Sequence, residues 1–338
     1  MRYAILVVVS VVLLVTAAHT QTRGAAAGVK ASTRTPWGDP DLQGVWNFAA
    51  GTPLERPAAL AEKEFLTDEE LAQAERQARA RSSMDRRDGA GTDADVNRDA
   101  NEFWFERRKT ILIRRTSLVV DPPDGKLPPV TAEADRRRTA FAEYLREHPA
   151  DSWDDRRLND RCIMFLQSGP PMIPQSVDFL LGFPFHFQIF QTADHVVILH
   201  EEPNRQIVPL DGRSHLQPGV RQWLGDSRGH WEGETLVVET TNFRDRLYAG
   251  VFTTGHLRLT ERFTRVDADT IDYRFTVDDP TTWTKPWTAV VPILKSDGRL
   301  YEYACHEGNY ALPNILRGAR AQEKVTAREA KTGSEKHR

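Results

Sequence analysis

Two histidine–glutamate pairs stand where apolar runs give way to loops: His200-Glu201 after residues 196–199, and His306-Glu307 after residues 300–305. Histidine titrates near neutrality, so either one beside a carboxylate suits general acid–base work. Two His and two Glu could also hold a divalent ion, but no H-E-x-x-H and no tight ligand spacing is present, so no metal or other cofactor is assigned. Solvated rim histidines are the competing explanation. A third candidate is Glu261. In an extended 257–264 segment Leu257, Leu259, Glu261 and Phe263 share one face, and Arg258, Thr260, Arg262 and Thr264 share the other. If the apolar face points inward, Glu261 is either desolvated with a raised pKa, fit for proton transfer, or paired with an arginine across the sheet.

Asp226, Ser227, Arg228 and His230 stand close together in residues 225–230. Members of a hydrolytic triad are usually distant in sequence and no G-x-S-x-G elbow occurs, so a turn capped by Asp226 with Arg228 pairing locally fits better. That turn, with Trp223 and His230, could border a ligand mouth. Trp283, Trp287, Tyr303 and Tyr310 add an aromatic concentration near the C-terminus, either pocket lining or core packing.

The elements that must position these groups are mostly strands. From residue 185 onward short alternating runs are divided by turn residues: 187–191, 195–201, 205–210, 229–232, 235–241, 257–264, 270–277, 287–294 and 300–305. Loops this short join antiparallel neighbours, because a parallel crossover needs a dozen or more residues. The fold class expected is mainly β with helical insertions: an antiparallel meander closing as a calycin-like barrel or packed as a sandwich, plus N-terminal helices. Strands are also expected at 42–48 and 116–120. Helices are expected at 67–81, opened by a Thr67/Glu70 capping box, and at 132–147, stopped by Pro149. Residues 82–101 have almost nothing to bury and read as a mobile loop. One domain over 35–318 is expected, with its helical insertion at about 60–150 and a flexible tail over 319–338.

The first 20 residues read as a signal peptide: Arg2, then an apolar run ending at Val15, too short to span a bilayer, then small residues. A disordered leader over 21–34 would follow, and the product would be periplasmic or secreted with no stable membrane insertion. The 338-residue chain has a formal net charge of −3 with both signs mixed, so no field for nucleic acid is present. Its two cysteines, Cys162 and Cys305, either form one disulfide or remain separate buried thiols.

Four stretches carry a family resemblance: Thr35-Pro36-Trp37-Gly38-Asp39-Pro40-Asp41-Leu42-Gln43-Gly44-Val45-Trp46, Gln222-Trp223-Leu224-Gly225-Asp226-Ser227-Arg228-Gly229-His230-Trp231-Glu232-Gly233, Thr276-Val277-Asp278-Asp279-Pro280-Thr281-Thr282-Trp283, and Tyr303-Ala304-Cys305-His306-Glu307-Gly308-Asn309-Tyr310. They resemble an uncharacterised family of secreted proteins from soil and environmental bacteria, which implies export and carries over no catalytic residues. Gly44-Val45-Trp46 also resembles the opening G-x-W of the lipocalins and related calycins, which implies a ligand-holding barrel; the long insertion before the main strands departs from that compact fold.

Three functions remain. The first is an exported barrel binding a small apolar or aromatic molecule. The second is an acid–base enzyme (lyase, isomerase or hydrolase) of the same fold, using His200, Glu201, Glu261 and His306. The third is a cell-envelope interaction protein using its N-terminal helices.

Overall fold

The computed structural model describes residues 34–48, 50–82, 112–164, 169–173, 186–201, 204–248 and 251–335. The signal segment, the leader through Thr33 and all but the first residue of the 82–101 loop lie outside the described residues.

Alternation of apolar and polar residues sets the architecture. Nine strands form a continuous antiparallel path. Its first three members are β1 (Gly44–Asn47), β3 (His186–Gln191) and β4 (His195–His200). Next come β5 (Arg205–Pro209), β6 (Asp226–Glu232) and β7 (Thr235–Thr241). The last three are β10 (Arg258–Arg265), β11 (Thr270–Asp278) and β12 (Trp287–Lys295). The spatial order is β5-β4-β3-β1-β12-β11-β10-β7-β6, and β2 (Val119–Asp121) pairs the remaining edge of β12. A separate hairpin joins β8 (Arg246–Tyr248) to β9 (Val251–Thr253). The local hairpins are those the turn residues require. The placement of β1 between β3 and β12 is non-local: Trp46 lies opposite both Phe187 and Lys295.

The sheet curls until its edges β5 and β6 meet, giving a nearly closed antiparallel barrel. The seam between them carries no ladder bonds among the described residues and is held by side chains instead. Gln206 Nε2 donates to Ser227 Oγ across it at 3.1 Å. A Cβ at Gly229 would lie 2.6 Å from Val208 Cγ1 and 2.8 Å from Leu210 Cδ2, so the close approach requires glycine there.

Inward-facing residues fill the barrel. Phe263, Ile271, Tyr273, Phe275, Ala289, Val291 and Ile293 are fully buried, as their shared parity on adjacent strands dictates. One end is plugged by Leu42, whose N–H donates to Gln191 Oε1 (2.6 Å) while Gln191 Nε2 donates to Pro40 O. Trp46 Nε1 donates to Leu42 O, and the Arg265 guanidinium lies over the Trp46 ring and donates to Asp41 O. The opposite end is covered by Phe48, Leu118, Phe243, Trp283 and the irregular segment carrying Met172 and Ile173, all buried.

Among the described residues three α-helices stand outside the sheet. α1 (Asp68–Ser82) opens with the expected capping box: Glu70 N donates to Thr67 Oγ1 and Thr67 N donates to Glu70 Oε2. α2 (Ala132–Glu147) is capped by Thr131 and buries only Ala134, so Phe141 and Tyr144 stay largely exposed. α3 (Ala311–Glu335) occupies the segment that sequence alone reads as a flexible tail from residue 319. Residues 300–305 are not the expected last strand. They run as loop because Cys305 is disulfide-bonded to Cys162 and Tyr303 N donates to Glu201 O. No helix among the described residues is long and apolar enough to cross a membrane.

The seam gives a direct test. Gly229→Ala forces side chains apart at a packed contact and should destabilise the protein by about 1–3 kcal/mol. Gly219→Ala, with nothing within 4 Å of the new Cβ, should leave the denaturant midpoint unchanged. Equal midpoints for the two variants would mean the barrel edges do not meet as described.

Candidate functional site

Among the described residues the centre of the barrel holds one carboxyl, Glu261. Glu261 has no accessible surface. β10 places it inward between Leu259 and Phe263, and register puts it opposite Phe275 on β11 and Val238 on β7. Tyr273 Oη donates to Glu261 Oε1 at 2.7 Å, and Gln206 Nε2 donates to Oε2 at 2.9 Å. Gln206 also reaches Ser227 Oγ, which lies 2.9 Å from Thr240 Oγ1. Tyr273 Oη in turn accepts the Met172 N–H at 3.1 Å. The carboxyl is therefore linked both to the seam and to the segment over the barrel end.

The arginine pairing considered for Glu261 does not form. Arg258 and Arg262 leave β10 on the opposite face, and Arg262 meets Glu232 instead. Burial without a countercharge pushes the Glu261 carboxyl up to about 7, and its two hydrogen bonds offset part of that rise.

Along one side the carboxyl borders an aromatic row. Ring centroids are 4.8 Å apart for Phe263–Tyr273, 5.6 Å for Tyr273–Phe275, 5.6 Å for Phe275–Trp287 and 6.0 Å for Trp283–Trp287. The indole N–H groups of Trp283 and Trp287 are buried and have no hydrogen-bond partner among the described residues.

His200 lies on the interior face two residues beyond Ile198, the register partner of Gln206. Its ring packs against Phe187 (5.8 Å) and Phe48 (6.3 Å), and burial lowers its pKa to about 4, which keeps it neutral. Glu201 points to the other face, where it approaches His186 Nδ1 at 3.7 Å; His186 Nε2 lies 3.4 Å from Asn47 Nδ2. This buried Asn47–His186–Glu201 chain sits beneath the loop whose Tyr303 N–H donates to the Glu201 carbonyl.

The other sequence candidates lie apart. His306 is exposed in a turn near the disulfide, away from the barrel interior. Asp226 is buried and accepts from Leu216 N (2.8 Å), His215 Nδ1 (3.0 Å) and Arg228 Nη1 (2.7 Å). Burial acts to raise its pKa, but these bonds outweigh that and lower it, so it anchors the preceding loop as a carboxylate. Trp223 carries the Arg244 guanidinium over its ring at 4.7 Å. His230 is exposed beside Glu232, and Tyr303 and Tyr310 are exposed. Among the described residues no group of three or more His, Cys, Asp or Glu is placed to hold a metal ion.

Sequence reasoning reached Glu261 and His200 but missed Gln206, Tyr273, His186 and Asn47. Tyr273 and Gln206 were accessible by parity, since each alternates with apolar residues on its own strand. His186 and Asn47 carried no such signal, because their neighbourhood depends on β1 joining β3.

Fold and site together define a nearly closed antiparallel β-barrel with an aromatic-lined, uncompensated carboxyl at its centre. No family model matches the chain, and no curated protein or solved structure matches it.

The two buried groups titrate with opposite signs. Glu261 ionises at its ordinary 4.5 in the unfolded chain and near 7 when folded, so its contribution to stability falls as pH rises through that window. His200 protonates at 6.5 unfolded and near 4 folded, so its contribution falls as pH drops through that window. Each is a destabilisation of roughly 3 kcal/mol at its extreme, and between pH 4.5 and 6.5 their opposite pH slopes cancel while the summed penalty stays nearly constant. In urea melts Glu261→Gln should gain stability relative to wild type as pH rises to 8. His200→Phe should gain relative to wild type as pH falls to 4.5. Parallel pH profiles for all three proteins would show that neither group is buried as described.

Proposed function

We propose that this chain is an exported barrel protein that binds a small apolar or aromatic molecule through the barrel end covered by Met172. The observation that carries the reading is the placement of a hydrogen-bonding carboxyl, Glu261, at the head of a buried aromatic row. Ligand pockets combine apolar walls with a few placed polar groups, and small barrels of this kind can hold one ligand inside. The residues around Glu261 are buried, so binding requires Met172 to leave. A disulfide between Cys162 and Cys305 fits an oxidising compartment, which supports export.

A second reading is acid–base catalysis in the same space. It is favoured by the one carboxyl whose pKa lies close to working pH, with Tyr273 as its hydrogen-bonded neighbour. His200 packs against Phe187 and Phe48 while Glu201, just past the end of β4, approaches His186, so they do not act there as a pair.

Met172 separates these readings from an inert core. The fluorescent probe N-phenyl-1-naphthylamine should bind Met172→Ala at least several-fold more tightly than wild type, and Met172→Trp should bind it more weakly. The readout is probe emission on titration, with native mass spectrometry confirming one probe per chain. Failure of both wild type and Met172→Ala to take up probe would sink the binding reading.

A further inference from the structure

Glu261 lacks what a buried carboxylate needs. Among the described residues the groups that meet its carboxyl are Gln206 from β5 and Tyr273 from β11, with Ser227 from β6 and Thr240 from β7 joined through Gln206. Phe275 and Val238 flank it in register. None of these carries positive charge. The nearest interior histidine, His200, is held neutral by burial between two phenylalanine rings. Burying a carboxyl without a countercharge costs stability, which a hydrophobic residue of similar size would not.

We propose that the ligand is an organic cation, an amine or quaternary ammonium on an apolar body, whose charged head becomes the missing counter-ion of Glu261. The inference rests on the small-molecule-binding reading above and specifies its ligand class. Three further features fit a cation. Aromatic faces attract ammonium groups within about 6 Å of the ring centroid, and Phe263, Tyr273, Phe275 and Trp287 form an unbroken row beside the carboxyl. The Met172 N–H already places a donor on Tyr273 Oη, the position an ammonium N–H would take once Met172 withdraws. Finally, a carboxyl that holds its proton until about pH 7 gives an empty barrel that is neutral inside, and the entering cation replaces that proton.

The test uses the full mature chain and calorimetric titration with phenethylamine, benzyltrimethylammonium and hexylamine, against 2-phenylethanol and phenylacetate. Cations should bind at least tenfold more tightly than the alcohol, and phenylacetate should not bind. At pH 6 binding should release close to one proton, read from buffers of differing ionisation enthalpy, and at pH 9 about none. Glu261→Gln, shown folded by its near-ultraviolet dichroism, should lose the preference for cations while still taking up N-phenyl-1-naphthylamine. Tyr273→Phe should keep the preference with weaker binding. Equal binding of alcohol and amines, or a preference that survives Glu261→Gln, overturns the cation assignment and leaves the binding barrel standing. Uptake of the naphthylamine probe with no uptake of any amine does the same. Absence of all binding, probe included, removes both.

Discussion

The structure turns on the desolvation of one carboxyl. Glu261 is enclosed at the middle of β10, and every neighbour that reaches it does so as a hydrogen-bond donor. Those donors are themselves committed. Tyr273 ties the carboxyl to the chain segment at the barrel end through Met172, and Gln206 ties it to Ser227 across the β5–β6 seam. A polar group in a low-dielectric interior is tolerable only when its partners are fixed, so Glu261 on β10 ties together β5, β6, β7, β11 and the Met172 segment. Removing one partner leaves the others unsatisfied, which is why the network behaves as a unit.

How much of this the sequence reveals depends on whether a feature is local. Alternation along β10 placed Glu261 inward with no knowledge of the fold, because parity is a property of the strand alone. Hairpins with short turns, such as β10–β11 across residues 266–269, were equally legible. The capping box of α1 was readable from Thr67 and Glu70 three residues apart. The insertion of β1 between β3 and β12 was not, since a four-residue strand matches either partner equally well and its choice is made by Trp46 packing inside the barrel. The Asn47–His186–Glu201 chain was invisible for the same reason.

Residues 300–305 show local pattern overruled. Their alternating apolar residues suggest a strand hairpinned to β12, yet β12 offers it no free edge: it is already paired by β11 on one side and by β1 and β2 on the other. The segment instead crosses Glu201 and is anchored by the disulfide to Cys162. Tyr301, Tyr303 and Tyr310 accordingly face outward, and His306 is carried away from the interior histidine it was expected to join.

The two barrel ends are closed by different physics, and that difference bears on where a ligand could enter. At the end of Leu42, backbone and side chain are interlocked. Gln191 bonds in both directions to the 40–42 segment, Trp46 bonds back to Leu42, and Arg265 clasps Asp41 while covering the Trp46 ring. Opening that end would break several mutually supporting bonds at once. At the other end the cover over Tyr273 is an irregular segment that packs Met172 and Ile173 into the core and donates the Met172 N–H to the tyrosine hydroxyl. There too are the neutral His200 and the unpartnered indole N–H groups of Trp283 and Trp287. Buried donors left without partners raise the free energy of a closed state, so the end at Trp283 and Trp287 is held shut by apolar packing rather than by mutually supporting bonds. The two ends therefore differ in kind: one is locked by a ring of reciprocal bonds, the other is packed over the aromatic row and the uncompensated carboxyl.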